Sequence, residues 1–234
     1  MSTPGNGKQL LNSLTSLRFF AALLVFLWHT HLWGNHLDRY QLGYAGVSFF
    51  YMLSGFVLTY AYYKRITIGK FTAIKSYYIA RIAKIYPVHL LTFALAIPLA
   101  FYVVHASGVA EFLKQAVANV FLVQSFSPHI PYYFAFNAVS WSISDELFFY
   151  LLMPVFIFIA FRLRNKLSIG KLVLSMLVIW IAMVALLTGK VAVLDQWAYY
   201  VLPLIRLPDF VLGILLCLVY WKSQSTKLNS IRTT

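Results

Sequence analysis

Arg18 and His29 lie eleven positions apart in an apolar stretch, and a fixed cation and a titratable imidazole on one helix could support anion binding and proton transfer. Eleven helical residues turn the chain by about 1100°, roughly 20° past three full turns, so both side chains share one face about 16 Å apart along the axis. Ionisable groups inside a membrane segment are costly, which favours a functional pair. The alternative is an interfacial anchor at Arg18 and a headgroup-level imidazole at His29.

Two adjacent acids, Asp145 and Glu146, lie about two helical turns inside a later apolar stretch, residues 139–161. Counted from the opposite membrane surface, Glu146 reaches a depth similar to that of His29. A carboxylate facing an imidazole fixes its tautomer and supports the imidazolium, as acid–base catalysis requires. A structural ion pair between the two helices is the alternative, and the two acids cannot both face one partner.

Two further pairs of charged residues lie in predicted membrane helices. Arg81 and Lys84 are one turn apart in RIAKIYP and form a cationic pair suited to a phosphate-bearing ligand, or an anchor at the cytoplasmic mouth of the bundle. Arg206 and Asp209 are three apart on one face of a proline-interrupted helix. They either line a cavity or neutralise each other.

The composition indicates the elements that must hold these residues. Of the 234 residues 61% are hydrophobic and 11% are charged, whereas soluble domains average about 45–50% and about 25%. We therefore predict an all-α fold, a polytopic membrane helix bundle with about six transmembrane helices and one or two amphipathic interfacial helices. The single cysteine, Cys217, excludes an internal disulfide and a cysteine metal site, and we expect no metal.

Apolar periodicity places the elements along the chain. The predicted spans are residues 17–33, 44–63, 85–105, 139–161, 172–189 and 197–221, with a surface helix over 64–84 and an interfacial or re-entrant segment over 111–125. No cleavage site follows the first span, so it is a retained helix. The domains are a polar, irregular tail over 1–16, a membrane domain over 17–221 and a polar tail over 222–234. Ser54 and Gly55 in MLSGF favour close helix packing.

The basic residues are distributed asymmetrically between the two predicted membrane sides. Fifteen of the 19 Lys and Arg fall on the side that carries both termini, and three fall on the other. The positive-inside rule therefore places both termini in the cytoplasm. The net charge of +13 is largely topological, so we expect membrane lipid and no nucleic acid as a partner.

Several of these stretches, taken together and in order, resemble the acyltransferase-3 membrane family, the type that O-acetylates O-antigens and exopolysaccharides. They are Arg18 with ten residues before His29, GVSFFYMLSGFVL at 46–58, RIAKIYP at 81–87, WSISDELFFYLLMP at 141–154 and RLPDFVLG at 206–213. The resemblance extends from near the N-terminus to residue 213.

The resemblance implies acyl transfer in the bacterial cytoplasmic (inner) membrane. The donor is acyl-CoA, commonly acetyl-CoA, and the acceptor is a hydroxyl of a glycan or lipid-linked carbohydrate. By resemblance the catalytic residues are His29, Arg18 and Glu146, and the donor-binding residues are Arg81, Lys84 and Arg18. Substrate-binding or structural polar roles are expected for Arg206, Asp209, Ser54, Trp141, Ser142 and Asp145.

The chain departs from the family pattern in sequence and in length. Lys84 replaces a second arginine and lacks its planar fork, Asp145 stands where an apolar residue is usual, and Asp209 stands where glutamate is common. The family domain has more membrane helices, so we expect this chain to be incomplete relative to it. Two rival functions are a proton-coupled transporter with a relay of His29, Glu146 and the Arg206/Asp209 pair, and an inactive truncated scaffold. Residues 17–105 and 139–221 show no repeat that would favour the transporter.

Overall fold

A computed structural model describes residues 4–30, 42–69, 71–104, 108–163, 165–188 and 197–232. These residues contain α1 (Pro4–Thr30), α2 (Leu42–Ile68), α3 (Phe71–Val104), α4 (Val109–Val120), α5 (Ile130–Tyr133), α6 (Trp141–Leu163), α7 (Ile169–Thr188) and α8 (Pro203–Arg232). Short 3-10 turns cover Gln124–Phe126 and Ala138–Ser140, and a π-helical turn covers Trp197–Val201. No strand occurs in the described ranges, and the predicted all-α class is confirmed.

Four of the helical stretches are long and apolar enough to cross a membrane. They are Gly43–Ile68, Phe71–Ala100, Ala138–Leu163 and Trp197–Thr226. Two shorter apolar helical stretches, Ser16–Thr30 and Ile169–Ala185, coincide with the first and fifth predicted spans. Each predicted span therefore corresponds, in whole or in part, to an apolar helix.

The helices extend further into the polar ends than the sequence predicted. Helix α1 begins at Pro4, so most of the tail predicted as irregular over 1–16 is helical. Proline is well suited to the first helical position, because its fixed φ matches the helix and its missing N–H would have no partner there. Helix α8 continues to Arg232 through the predicted polar tail 222–234, where the described residues contain neither glycine nor proline.

The predicted surface helix over 64–84 is not a separate element. Helix α2 continues to Ile68, the chain turns at Gly69, and α3 runs unbroken from there through the stretch predicted as a separate span. The Gly69 N–H donates to the Arg65 carbonyl at 2.8 Å, and a β-carbon at Gly69 would overlap that oxygen. Glycine is thus needed at this elbow, and the helix break moves there from the predicted position near residue 84.

The predicted mid-helix break at Pro203 and Pro208 is also displaced. The interruption is the π-helical turn Trp197–Val201, and Pro203 is the first residue of α8. A proline in the first turn removes no helical hydrogen bond, so it starts this helix rather than breaking it. Pro208 lies inside α8.

The chain divides into two compact units, and the first comprises Met1–Ala61, Arg164–Leu177 and Asp209–Thr234. Here α2 and α8 touch through glycines: a β-carbon at Gly55 would overlap the Phe210 carbonyl oxygen, and one at Gly213 would overlap that of Met52. Such contacts let helix backbones approach closely. The close packing predicted from MLSGF is therefore present at Gly55.

Glycines also mediate the packing of α1 on α2 in this unit. A β-carbon at Gly43 would lie 2.7 Å from the Trp28 ring, and one at Gly46 would lie 2.6 Å from the Val25 side chain. The start of α2 is therefore shaped to accommodate the last two turns of α1, the part that carries His29.

The second unit comprises Tyr62–Leu163 and Val178–Pro208. Helices α3 and α6 are joined by two tyrosines whose hydroxyls donate to backbone carbonyls: Tyr77 to Tyr150 at 3.1 Å and Tyr78 to Leu151 at 2.9 Å. Carbonyl oxygens have a second lone pair and can accept a side-chain hydrogen bond in addition to the helical one. These bonds fix α3 against the middle of α6.

A buried hydroxyl network holds the first turn of α6. The Ser144 hydroxyl donates to the carbonyl of Leu122 at 2.6 Å and lies 2.7 Å from the Ser125 hydroxyl. The indole N–H of Trp197 donates to the Ser125 carbonyl at 2.8 Å. Leu122 has a φ of 55°, a left-handed conformation that costs energy in a non-glycine residue. The network satisfies the polar groups exposed by this tight turn.

The segment predicted as interfacial or re-entrant, 111–125, forms α4 and the turn after it. Glu111 on α4 accepts hydrogen bonds from the Tyr132 hydroxyl and from the Lys114 ammonium group, the latter at 3.4 Å. The Tyr132 contact, assisted by Lys114, holds the pKa of the Glu111 carboxyl below its usual value. The hydrogen bond between Tyr132 on α5 and Glu111 on α4 is therefore strongest when the Glu111 carboxyl is ionised.

Candidate active site

His29 lies in the last turn of α1 with an exposed side chain. Its Nδ1 is 2.8 Å from the carbonyl oxygen of Val25, one turn earlier. A carbonyl can only accept a hydrogen bond, so Nδ1 carries the proton and the lone pair of the neutral ring is on Nε2. The Trp28 ring meets the imidazole edge to face at 4.7 Å. The local structure thus holds His29 in the tautomer that can act as a base through Nε2.

Arg18 lies on the same uninterrupted helix as His29 and is half-buried. The predicted shared face is therefore preserved, with about 16 Å between the two positions along the axis. That separation is too long for direct contact, so the two residues can act only at different points of an extended ligand. Phe19 and Phe20, next to Arg18, are 64% and 59% exposed, so the cation is flanked by open apolar surface.

Arg81 on α3 lies in a cluster of tyrosines in the second unit. Its Nη2 donates to the Tyr62 hydroxyl at 3.0 Å. Its guanidinium lies 5.2 Å from the centre of the Tyr62 ring and 5.6 Å from that of Tyr150. Both distances are within the range of cation–π attraction. The charge of Arg81 thus lies close to two aromatic rings and to the Tyr62 hydroxyl.

Tyr150 connects Arg81 to Glu146. The hydroxyl of Tyr150 is hydrogen-bonded to Oε1 of Glu146, one turn earlier on α6, while its ring faces Arg81. One side chain therefore connects a cation and a carboxylate that the sequence assigned to separate roles. We define Arg81, Tyr62, Tyr150 and Glu146 as the arginine–tyrosine–carboxylate cluster.

The cluster gives Arg81 a setting inside the second unit. Arg81 contacts Tyr150, near the middle of α6, because α3 begins ten residues before Arg81 and not at it. The position of Arg81 and Lys84 at the cytoplasmic mouth stays a prediction. Lys84, one turn further along α3, is exposed.

Another tyrosine, Tyr200, contacts both Arg206 and Trp141. The Nε of Arg206 donates to the Tyr200 carbonyl at 2.8 Å, and its guanidinium lies 4.3 Å from the centre of the Tyr200 ring. That ring meets Trp141 at 4.8 Å. The π-helical turn brings the carbonyl and the ring of Tyr200 to one guanidinium. Arg206 therefore fixes the start of α8, and Trp141 fixes the start of α6.

The other predicted polar residues are mostly buried. The Ser142 hydroxyl donates to the Val139 carbonyl at 2.9 Å, a local contact at the start of α6. Asp145 is fully buried in the second unit, and Asp209 and Ser54 are buried in the first. Among the described residues no group of three His, Cys, Asp or Glu could hold a metal ion.

The structure thus joins Arg81 to Glu146 and Trp141 to Arg206. His29 and Glu146 belong to different units, and their pairing stays a prediction. The sequence reasoning missed the connecting tyrosines, Tyr62, Tyr150 and Tyr200. Only Tyr150 had a local signal, since it stands four residues after Glu146, where helical side chains meet.

The known proteins that this chain resembles are acyltransferases. The family model described as an acyltransferase domain matches residues 11–234, and the chain belongs to this acyltransferase family. The family resemblance seen in the ordered motifs is thereby confirmed.

One similar curated protein is the acyltransferase MdmB of Streptomyces mycarofaciens. It is 31% identical over 231 residues, which cover 89% of this chain and 57% of that protein. The chain therefore spans little more than half the length of this relative. No solved structure gives a significant match.

Proposed function

We propose that the protein is an integral-membrane O-acyltransferase that moves an acyl group, most simply acetyl, from acyl-CoA to a hydroxyl of a cell-surface glycan or related carbohydrate. Membership of the acyltransferase family supports the reaction class. The observation that carries the proposal is the hydrogen bond from His29 Nδ1 to Val25, which leaves Nε2 as an exposed base. The proposed setting is the bacterial inner membrane with both termini in the cytoplasm.

In the proposed reaction His29 is the general base. Its Nε2 takes the proton of the acceptor hydroxyl as that oxygen attacks the thioester carbonyl carbon. The tetrahedral intermediate collapses with formation of the new C–O ester bond and cleavage of the C–S bond. The imidazolium then returns the proton to the sulfur of CoA, so the histidine is regenerated without a covalent acyl-enzyme.

The arginines supply fixed positive charge in this scheme. The two nearby rings hold the Arg81 guanidinium in place, and a preoriented cation can bind a phosphate of the acyl donor with little reorganisation. Glu146 acts through Tyr150 to keep that charge in position. Arg18, about 16 Å from His29 along α1, is suited to a distant anionic group of the same donor.

The experiment is transfer of labelled acetyl from acetyl-CoA to the glycan fraction in membranes that contain the chain. His29→Ala should lower turnover by about 10²–10⁴-fold, the range that loss of a general base produces. His129→Ala is the matched control, because His129 is an exposed loop histidine outside the proposed chemistry. Equal turnover in the two variants contradicts the proposal, and proton-coupled uptake without release of CoA thiol would favour a transporter.

A further inference from the structure

A cavity of about 550 Å³ opens at the turn between α2 and α3 in the second unit. Its wall includes Tyr62, Lys64, Arg65, Ser76 and Tyr77. We call it the elbow pocket. It is distinct from the predicted donor-binding pair, because neither Arg81 nor Lys84 lines it.

The charged residues described on the wall of the elbow pocket are all positive. Lys64 and Arg65 are exposed on its wall, and none of the described residues that line it is acidic. The guanidinium of Arg65 lies 5.8 Å from the centre of the Tyr62 ring, and that of Arg81 lies 5.2 Å from the same ring. The guanidinium groups of Arg65 and Arg81 therefore both lie close to the ring of Tyr62. An anion at this point would relieve their mutual repulsion.

The lining selects among anions. A guanidinium, an ammonium and the Ser76 hydroxyl are donors that suit the several oxygens of a phosphate group. Ala73 and Ile68 give the remaining wall an apolar character, and the volume falls within the roughly 300–1,000 Å³ of small-molecule pockets. This combination suits a phosphate group attached to a larger, partly apolar body.

We infer that the elbow pocket binds a phosphate-bearing anion through Arg65, Lys64 and Ser76. Two ligands share this chemistry: the nucleotide end of the acyl donor, and the headgroup of an anionic phospholipid. The first rests on the proposed function and the second does not. Tyr62 and Tyr77 contact Arg81 or its partner Tyr150 as well as lining the pocket, so an occupant adjoins the arginine–tyrosine–carboxylate cluster.

Binding is tested on purified protein in nanodiscs of neutral lipid, with adenosine 3′,5′-bisphosphate as the nucleotide probe. We expect Arg65→Gln to raise its Kd about tenfold, the loss typical of one charge-assisted contact. Lys75→Gln is the matched control, since it removes the same charge from an exposed site on α3 outside the pocket. Its Kd should change less than about twofold.

The lipid source is tested in the same variants by counting bound phosphatidylglycerol with native mass spectrometry. Loss of one retained lipid in Arg65→Gln but not in Lys75→Gln supports the pocket with a lipid ligand. If neither probe distinguishes the two variants, or if wild-type protein binds neither, the inference is overturned.

A donor comparison separates this inference from the proposed function. Arg65→Gln should raise the KM for acetyl-CoA but not for acetyl-pantetheine, which lacks the nucleotide phosphates, and kcat should stay unchanged. Absence of transfer by wild-type protein from either donor would overturn the proposed function, while the binding measurements would still decide whether the pocket takes phosphate.

Discussion

Tyr150 shows how a single side chain links two charged groups. Its ring lies under the guanidinium of Arg81 and its hydroxyl is bonded to Glu146. A tyrosine can do both because its aromatic face attracts cations while its hydroxyl remains a strong donor. Neither leucine nor phenylalanine would supply both contacts.

Removing only the hydroxyl tests this link. Tyr150→Phe keeps the ring under Arg81 but releases Glu146 from one hydrogen bond, so we expect acetyl turnover to fall about tenfold, as for loss of about 1.4 kcal/mol from the transition state. The measurement is kcat with labelled acetyl-CoA.

Tyr78→Phe is the matched control for that substitution. It deletes a hydroxyl that donates to the Leu151 carbonyl on α6, and the ring of Tyr78 meets that of Tyr77, which is not a member of the cluster. The melting temperature of Tyr78→Phe should fall by about as much as the melting temperature of Tyr150→Phe, but Tyr78→Phe should keep its turnover. A loss of turnover equal to that of Tyr150→Phe would mean that only the packing of α3 on α6 matters.

The contacts of Arg206 with Tyr200 favour a structural role for this cation. Arg206→Lys keeps the charge but loses the hydrogen bond from Nε to the Tyr200 carbonyl and the close contact of the guanidinium with the Tyr200 ring. We expect the free energy of unfolding to fall by about 1–3 kcal/mol, measured by denaturation in detergent. The exposed Arg162→Lys serves as the control and should change it by less than about 0.5 kcal/mol. A stable Arg206→Lys protein with lost turnover would instead assign Arg206 to substrate binding.

At the scale of elements, glycines decide how closely helices approach. Gly55 and Gly213 each face a backbone carbonyl of the opposing helix. A backbone atom cannot rotate away as a side chain can, so α2 and α8 would have to separate to admit even a methyl group.

Gly55→Ala and Gly213→Ala should therefore each lower the free energy of unfolding by about 1–3 kcal/mol. Gly170→Ala, in the first turn of α7, is the control, because a β-carbon there meets only a serine hydroxyl at 4.0 Å. Its stability should be unchanged or slightly higher, since alanine restricts the unfolded chain. Melting temperatures in one detergent compare the three, and equal values would refute the proposed close contact.

At the scale of the whole molecule, the predicted topology divides the basic residues unequally between the two sides of the membrane. Fifteen of 19 basic residues fall on the side predicted to hold the termini, and anionic lipid and the insertion machinery favour that side in the cytoplasm.

A fusion to the C-terminus tests this orientation. We expect a green fluorescent protein fusion to be fluorescent and an alkaline phosphatase fusion to be inactive, because the first folds in the cytoplasm and the second only outside it. The matching pair of fusions after Lys190, predicted to lie outside, should give the opposite readings. The same readings at both positions would contradict the assigned topology.

The sequence alone determined the helical membrane class, the approximate spans, the family and the shared face of Arg18 and His29. These follow from hydrophobicity and helical periodicity, which are properties of local sequence, and from motifs in a fixed order. Only the tertiary structure decided which side chains contact each other. Arg81 and Tyr150 are 69 residues apart, and no local pattern could pair them. The turn at Gly69 lets α3 begin at Phe71, so Arg81 lies inside that helix and contacts Tyr150 near the middle of α6, because helix ends depend on backbone contacts that hydropathy does not record.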